Sequence, residues 1–416
     1  MNVARREDPS VRYVVASLVA GVFFGGLGGG VAFPTLPTLG PLLGISPFVV
    51  GLILSVNRFT RLIMNTPAGQ ILDQIGTRRP MIVGFILQGL VPFGYILGLH
   101  ADRLPIGSAT VFLLSRGLWG FGSAFVFVGA FSTITHVTTP ENRGKWIGYM
   151  RGGQSLGFPT GLVVGGLLTD AYGYDLAFAV AGVAGLLAAV VAFLVLPDVS
   201  PDVGASPLRE LPSIVRADPR IAAVGTVNFV VRFLFAGVLL STIVLYAGEY
   251  EIKIGLLSST GVSGVVMAVS VLGASVTTVL VGRYSDQISN RALVTIPAVV
   301  VLAAGFTLLV ILPTLVGIVV AVALIGIGVG GSNPPLMAYL GDISPSDDVG
   351  KLGGVYNVFG DFGSTLGPLV ALPLVERVGF AAEYLVCAVL ALGVGVLVTR
   401  TLLGDTSPTN AVPADD

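Results

Sequence analysis

Twelve stretches of about twenty or more mostly apolar residues run through this chain, at 13–39, 48–70, 80–99, 106–134, 146–168, 176–196, 222–247, 256–281, 292–312, 314–340, 352–374 and 382–402. A helix advances about 1.5 Å per residue, so about 20 apolar residues cross a hydrocarbon layer about 30 Å thick. With only 11% of its 416 residues charged and 54% hydrophobic, the chain cannot dress the surface of a soluble domain, for which about 25% charged residues is usual. The expected fold is therefore an all-α membrane protein of twelve transmembrane helices. Ser46-Pro47, Leu104-Pro105 and Leu312-Pro313 punctuate the breaks. The break at Pro313 is the shortest.

Composition also removes several functional classes. A net charge of −1 gives no footprint for nucleic acid. One cysteine, Cys387, and two histidines, His100 and His136, leave little from which to build a metal centre. No cofactor is expected, and no catalytic cluster of His, Cys or paired carboxylates marks an enzyme. The remaining partners are the lipid bilayer and a small solute.

Basic residues set the expected orientation. With the N-terminus inside, the cytoplasmic loops hold Arg5, Arg6, Arg12, Arg78, Arg79, Arg143, Lys145, Arg151, Arg209, Arg216, Arg220, Arg283, Arg291, Lys351 and Arg400, against Arg103, Lys253 and Arg377 outside. Both termini are thus expected in the cytoplasm, with the chain multi-pass in the cell membrane. A Pro-, Asp-, Ser- and Arg-rich segment splits the spans six and six. The expected organisation is a bundle at 1–196, a cytoplasmic linker at 197–221, a second bundle at 222–403 and a disordered tail at 404–416.

The two bundles repeat one another. Gly69, Asp73, Arg78 and Arg79 follow the second span, and Gly282, Asp286 and Arg291 follow the eighth, at an offset of 213 for Gly and Asp. A further match at offset 206 joins Gly144-Lys145 with Gly350-Lys351 and Gly157 and Gly161 with Gly363 and Gly367. A duplicated six-helix unit is one architecture of secondary transporters.

On these residues the chain resembles the major facilitator superfamily, in the manner of its drug/proton antiporter branch. Gly69, Asp73, Gly76, Arg78 and Arg79 match that family's loop motif G-x-x-x-D-[RK]-x-G-[RK]-[RK], with Gln74 where a basic residue is usual. Arg116-Gly-Leu-Trp-Gly120 resembles its fourth-span motif. Gly157, Pro159 and Gly161 resemble its fifth-span antiporter motif, with Phe158 inserted in the usual Gly-Pro pair. The resemblance implies two pseudo-symmetric six-helix bundles and alternating access. It also implies a cytoplasmic gate in which Asp73 sits beside the eleventh span, held by that helix's N-terminus and by Arg78 or Arg143. Asp286 should play a similar but weaker role near the start of the fifth span. Gly157, Pro159 and Gly161 should bend the fifth span and let it pack closely.

Charges inside spans are costly and mark function by default. Arg58, Arg232 and Asp361 each lie about 15 Å from the start of their span, near the midplane where such transporters bind solute. Arg61 and Arg116 complete the set, and Asn57, Asn228 and Asn357 share their helical faces. An Arg232–Asp361 pair could neutralise itself. The remaining excess of guanidinium groups favours an anionic or polar solute. Asp361 is the candidate proton-coupling residue. The expected function is proton-coupled efflux by a monomeric secondary transporter. The alternatives are uptake or exchange of a small organic anion and, from another class, a non-transporting membrane sensor.

Overall fold

The computed structural model describes residues 9–101, 105–197, 199, 218–343 and 349–403. The expected linker is therefore outside the described residues at 198 and 200–217, as is the whole expected tail at 404–416. The first six helices are α1 (Pro9–Leu43), α2 (Pro47–Ile75), α3 (Arg78–Leu99), α4 (Gly107–Val137), α5 (Pro140–Tyr172) and α6 (Tyr174–Val195). Helix α7 is continuous through Pro219–Arg232, a π-helical stretch Phe233–Leu239 and Leu240–Glu249. Then come α8 (Ser259–Ser285), α9 (Thr295–Ile311) and α10 (Leu315–Asp342). A last rod, Val349–Thr401, is broken by Gly379 at φ 79°. That left-handed conformation is one that glycine adopts readily, and it divides the rod into α11 (349–378) and α12 (380–401).

Among the described residues ten helices are long and apolar enough to cross a bilayer, the last rod counting once. Dividing that rod at Gly379 and adding α5 gives twelve. α5 falls short in apolarity because Gly, Ser, Gln and Pro interrupt it.

The ends follow local chemistry. Ser46 and Pro47 start α2, with proline at a position whose N–H needs no partner. Thr139 starts α5, its backbone N–H donating to Asn142 Oδ1 at 3.0 Å. At the short break around Pro313, Thr314 caps α10 by accepting from Gly317 N at 3.2 Å.

The halves pack by one scheme. In the first, α1 lies against α5, α2 and α3 against α4, and α3 against α6. In the second, α7 lies against α11, α8 and α9 against α10, and α9 against the α11–α12 rod. Each pairing is the earlier one shifted by six helices, as the sequence repeat requires. The halves meet where α5 faces α8 and α2 faces α11.

Small residues permit this closeness, because between helices in lipid it is packing contact that holds them together. A Cβ at Gly157 would collide with the Phe23 carbonyl, and one at Gly161 with the Leu27 carbonyl. The fifth-span motif thus seats α1 on α5, and α5 continues as one helix through Pro159.

Candidate functional site

Helices α1 to α5 enclose a cavity of about 180 Å³. Its wall lies around the mid-depth of these helices and reaches, along α1, α4 and α5, toward the face holding the start of α1 and the end of α12, here termed the terminal face. Arg58, Arg61 and Arg116 line it with Asn57, Gln88 and Gln154, and Phe33, Trp119, Phe127 and Phe158 supply aromatic surface. No Asp or Glu is among the lining residues. The expected excess of cationic groups is therefore present, in the first half of the chain. Asn228, Arg232 and Asn357 are not brought to this wall.

The three arginines do different work. Arg116 is 2% exposed. Its Nε donates to the Ile53 carbonyl at 3.2 Å and its Nη2 to the Leu54 carbonyl at 3.3 Å. It braces α4 against α2 and satisfies charge with backbone dipoles, as lipid demands. Arg58 reaches across the halves. Its Nη1 donates to Ser364 O on α11 at 2.7 Å and to Ala236 O on α7 at 3.0 Å. Ala236 lies in the π-helical stretch; such single wide turns recur at functional sites. The Arg58 guanidinium also sits 5.4 Å from the centre of the Phe33 ring.

Arg61 holds the carboxylate. Its Nη2 lies 3.0 Å from Asp361 Oδ1, with each side chain about a quarter exposed. The expected Arg232–Asp361 pair is thus replaced by one between bundles. The cause is helical phase: on antiparallel α2 and α11, positions 55, 58 and 61 face 365, 364 and 361. Ser55 Oγ donates to Thr365 O at 2.6 Å, completing three rungs. Arg232 instead packs its stem near Gly360.

The other polar residues of the second half are structural. Asn228 is 3% exposed and its Nδ2 donates to Tyr356 O at 2.6 Å. Tyr356 Oη in turn donates to Asn333 Oδ1 at 2.5 Å. These contacts bind α7, α10 and α11. Asn357 is exposed.

The loop motifs are placed at the terminal face. Gly76 takes φ 81° and ends α2. Arg78 donates to Phe193 O at 2.7 Å, Arg143 to Thr135 O at 3.2 Å, and Arg79 is exposed. Asp73 is half-buried. In the second copy Asp286 pairs with Arg291 at 3.2 Å, and Arg291 with Asp342 at 3.2 Å. These pairs stay inside the second half, whereas Asp286 was expected to reach toward the fifth span. Its own loop folds a cation back onto it first.

At mid-depth and toward the far face, hydrogen bonds tie the halves together. Besides the three rungs, Ser258 N donates to Asp170 Oδ2 at 2.7 Å. At that same depth Gly166 of α5 packs on Gly264 of α8, and Gly51 of α2 on Pro368 of α11. The molecule is closed at the far face.

Sequence reasoning missed Gln88, Gln154 and Trp119 in the wall, and Tyr356 and Asn333 in the second half. The glutamines were legible as polar groups within apolar runs. The tyrosine and tryptophan carry no such signal, being ordinary core residues.

A model of the "Major Facilitator Superfamily" matches residues 18–271 and 257–415. "Multidrug resistance protein 1" of Bacillus subtilis (strain 168) is 25% identical over 384 residues, covering 92% of this chain and 94% of its own. "Quinolone resistance protein NorA" of Staphylococcus aureus (strain MRSA252) is 24% identical, covering 89% and 92%. A crystal structure of a bacterial homologue of the human lysosomal transporter Spinster superposes with a TM-score of 0.75 at 18% identity, over 97% of this chain and 100% of that one. The human organic anion transporter MFSD10 gives 0.63 at 20% identity, over 94% and 100%.

Proposed function

This chain belongs to the major facilitator superfamily, and from that premise we propose that it exports a small anionic or polar amphipathic solute in exchange for protons, by alternating access. It is a multi-pass membrane transporter and not an enzyme. The proposed units are the bundles 1–196 and 222–403, joined by the linker 197–221. The proposed setting is the cell membrane, with the terminal face cytoplasmic and the chain acting as a monomer. The observation that carries the reading is the Arg61–Asp361 pair: Arg61 lines the cavity and, through Asp361, ties one bundle to the other.

The mechanism follows from what can break that tie. In the state open to the terminal face, Asp361 is ionised against Arg61. An anionic solute entering the cavity competes for the Arg61 fork. The rungs loosen, the far face parts, and the solute leaves there. Asp361, without its partner, then takes a proton from far-side water. Neutralised, Asp361 imposes no bias and the bundles are free to return; back in the terminal-open state Asp361 releases the proton at the terminal face and Arg61 re-forms the pair. Solute and proton thus act on one latch from its two ends. The multidrug and quinolone resistance relatives support the export direction.

The same latch supports a second reading, because Arg61 is both a wall residue and the partner of Asp361. If solute and proton occupy the two ends together, they travel together, and the protein takes up or exchanges an organic anion. Likeness to an organic anion transporter agrees with the cationic wall.

A thermal-shift comparison tests the wall. Small aromatic carboxylates or sulfonates are expected to raise the melting temperature of the purified protein, and Arg61→Gln to abolish the shift. Stabilisation by organic cations alone would overturn the reading. With the stabilising solute loaded in vesicles, acid outside should accelerate its exit under exchange and slow it under cotransport.

A further inference from the structure

We propose that Glu383 on α12 is a second proton-binding site, which holds its proton while the far face is closed and exchanges it when that face opens. Glu383 stands four residues past the Gly379 turn, so it is one helical turn from the far end of the bundle. It is nevertheless 2% exposed, and its Oε2 has no hydrogen-bond partner. The interior face of α12 around it is made of Phe380, Tyr384 and Cys387, all buried.

The elements packed against this face offer no counter-charge. From α7 come Thr242 and Tyr246; its carboxylate Glu249, and Glu251 just beyond it, are exposed, and its arginines, Arg220 and Arg232, lie toward the terminal face. Helix α9 holds no ionisable residue, and the far half of α10 holds none. At the far end of α11, Glu376 and Arg377 are exposed, as is Lys253 in the neighbouring loop. Among the described residues Glu383 is in no ion pair. The nearby hydroxyls are already engaged: Tyr246 Oη donates to Leu309 O at 2.6 Å, and Thr242 and Tyr384 share a hydrogen bond of 3.0 Å. An ionised carboxylate in such a place is uncompensated, and the group neutralises itself by keeping its proton.

The aromatic neighbours of Glu383 pack on a stretch that also touches the other bundle. Tyr246 packs edge-on against Phe380 and tilted against Tyr384, with ring centres 5.6 and 5.5 Å apart. The same stretch of α7, Leu240–Glu249, lies against α1 of the other bundle. Parting the far face strips that stretch of its α1 contact and lets water approach the carboxyl. The step is a simple dissociation: the O–H bond of Glu383 breaks, water takes the proton as hydronium, and the carboxylate keeps the electron pair. It reverses when the face closes. This places a proton site in the bundle that lacks the cavity, separate from Asp361.

Infrared difference spectra of the lipid-reconstituted protein test the protonation without any solute. The wild type and Asp361→Asn are expected to show a carboxylic-acid carbonyl band that shifts on deuteration and is missing in Glu383→Gln. Glu383→Asp should restore a displaced band. A spectrum unchanged by Glu383→Gln would overturn the proposal. The second readout rests on the transport reading: Glu383→Gln should keep solute exchange at equal pH while losing part of the acceleration by far-side acid, the rest being carried by Asp361. Full acceleration in that variant would likewise overturn the exchange of its proton. Absence of acid-driven flux in the wild type would instead count against the transport reading and leave the infrared result standing.

Discussion

Asp361→Asn should abolish transport driven by a pH gradient while leaving solute binding in place. Asparagine keeps the size of the side chain and removes both its charge and its titration. The lost pair is a quarter exposed, so solvent screens part of it. Removing one partner of a buried pair costs about 3–5 kcal/mol, and even a part of that is comparable with the few kcal/mol that separate alternating conformers. The variant therefore has two defects from one cause: no group to neutralise from the far side, and no latch to re-form at the terminal side. In vesicles the gradient-driven flux should fall to the rate seen without a gradient, while the melting temperature still rises with solute. Normal gradient-driven flux would remove Asp361 from the mechanism.

Gly161→Val should produce the largest structural failure in the chain. On α5 the glycines 157, 161 and 165 stand four residues apart and lie directly on the backbone of α1 at Phe23, Leu27 and Val31. From the opposite side Gly26 and Gly30 do the same for α5. A side chain at 161 cannot turn aside, because what it meets is backbone and not the end of a flexible group. Overfilling an ordinary core costs about 1–3 kcal/mol; here two helices must separate, and the cavity wall they share separates with them. Folded, monodisperse protein should be lost on size-exclusion chromatography. Gly152→Ala on the same helix is the control. Its Cβ would meet nothing within 4 Å, and alanine favours helix over glycine by about 1 kcal/mol. Equal yields for the two variants would refute the packing account.

Most of the fold was legible in the chain, because apolar run length acts locally. The break at Pro313 was visible as a single residue, and Thr314 makes it a genuine helix start. The cationic wall was legible too, since Arg58, Arg61 and Arg116 interrupt apolar runs. What sequence could not give was partnership. Asp361 had several arginines at about the right depth, and only the rotation of α2 against α11 selects Arg61, 300 residues away. The same limit applies to Arg116, whose partners are carbonyls and so leave no mark in side-chain chemistry. Glu383 escaped notice because it stands next to a turn, where a charge is ordinarily solvated; that α12 turns it inward is a tertiary fact. Asp286 shows the converse. Its matched spacing suggested a contact between bundles, yet Arg291 and Asp342 keep it within its own.

The latch is tested most directly by a distance between the bundles at the terminal face. Spin labels at Gln74 on α2 and Gly354 on α11 are both exposed, and the one native thiol, Cys387, is buried. Pulsed electron resonance on the wild type at neutral pH should give mainly the long distance of the terminal-open state. Acid, or Asp361→Asn at neutral pH, should shift the population toward a short distance, because each removes the tie that holds the far face shut. Identical distance distributions in all three samples would contradict the account.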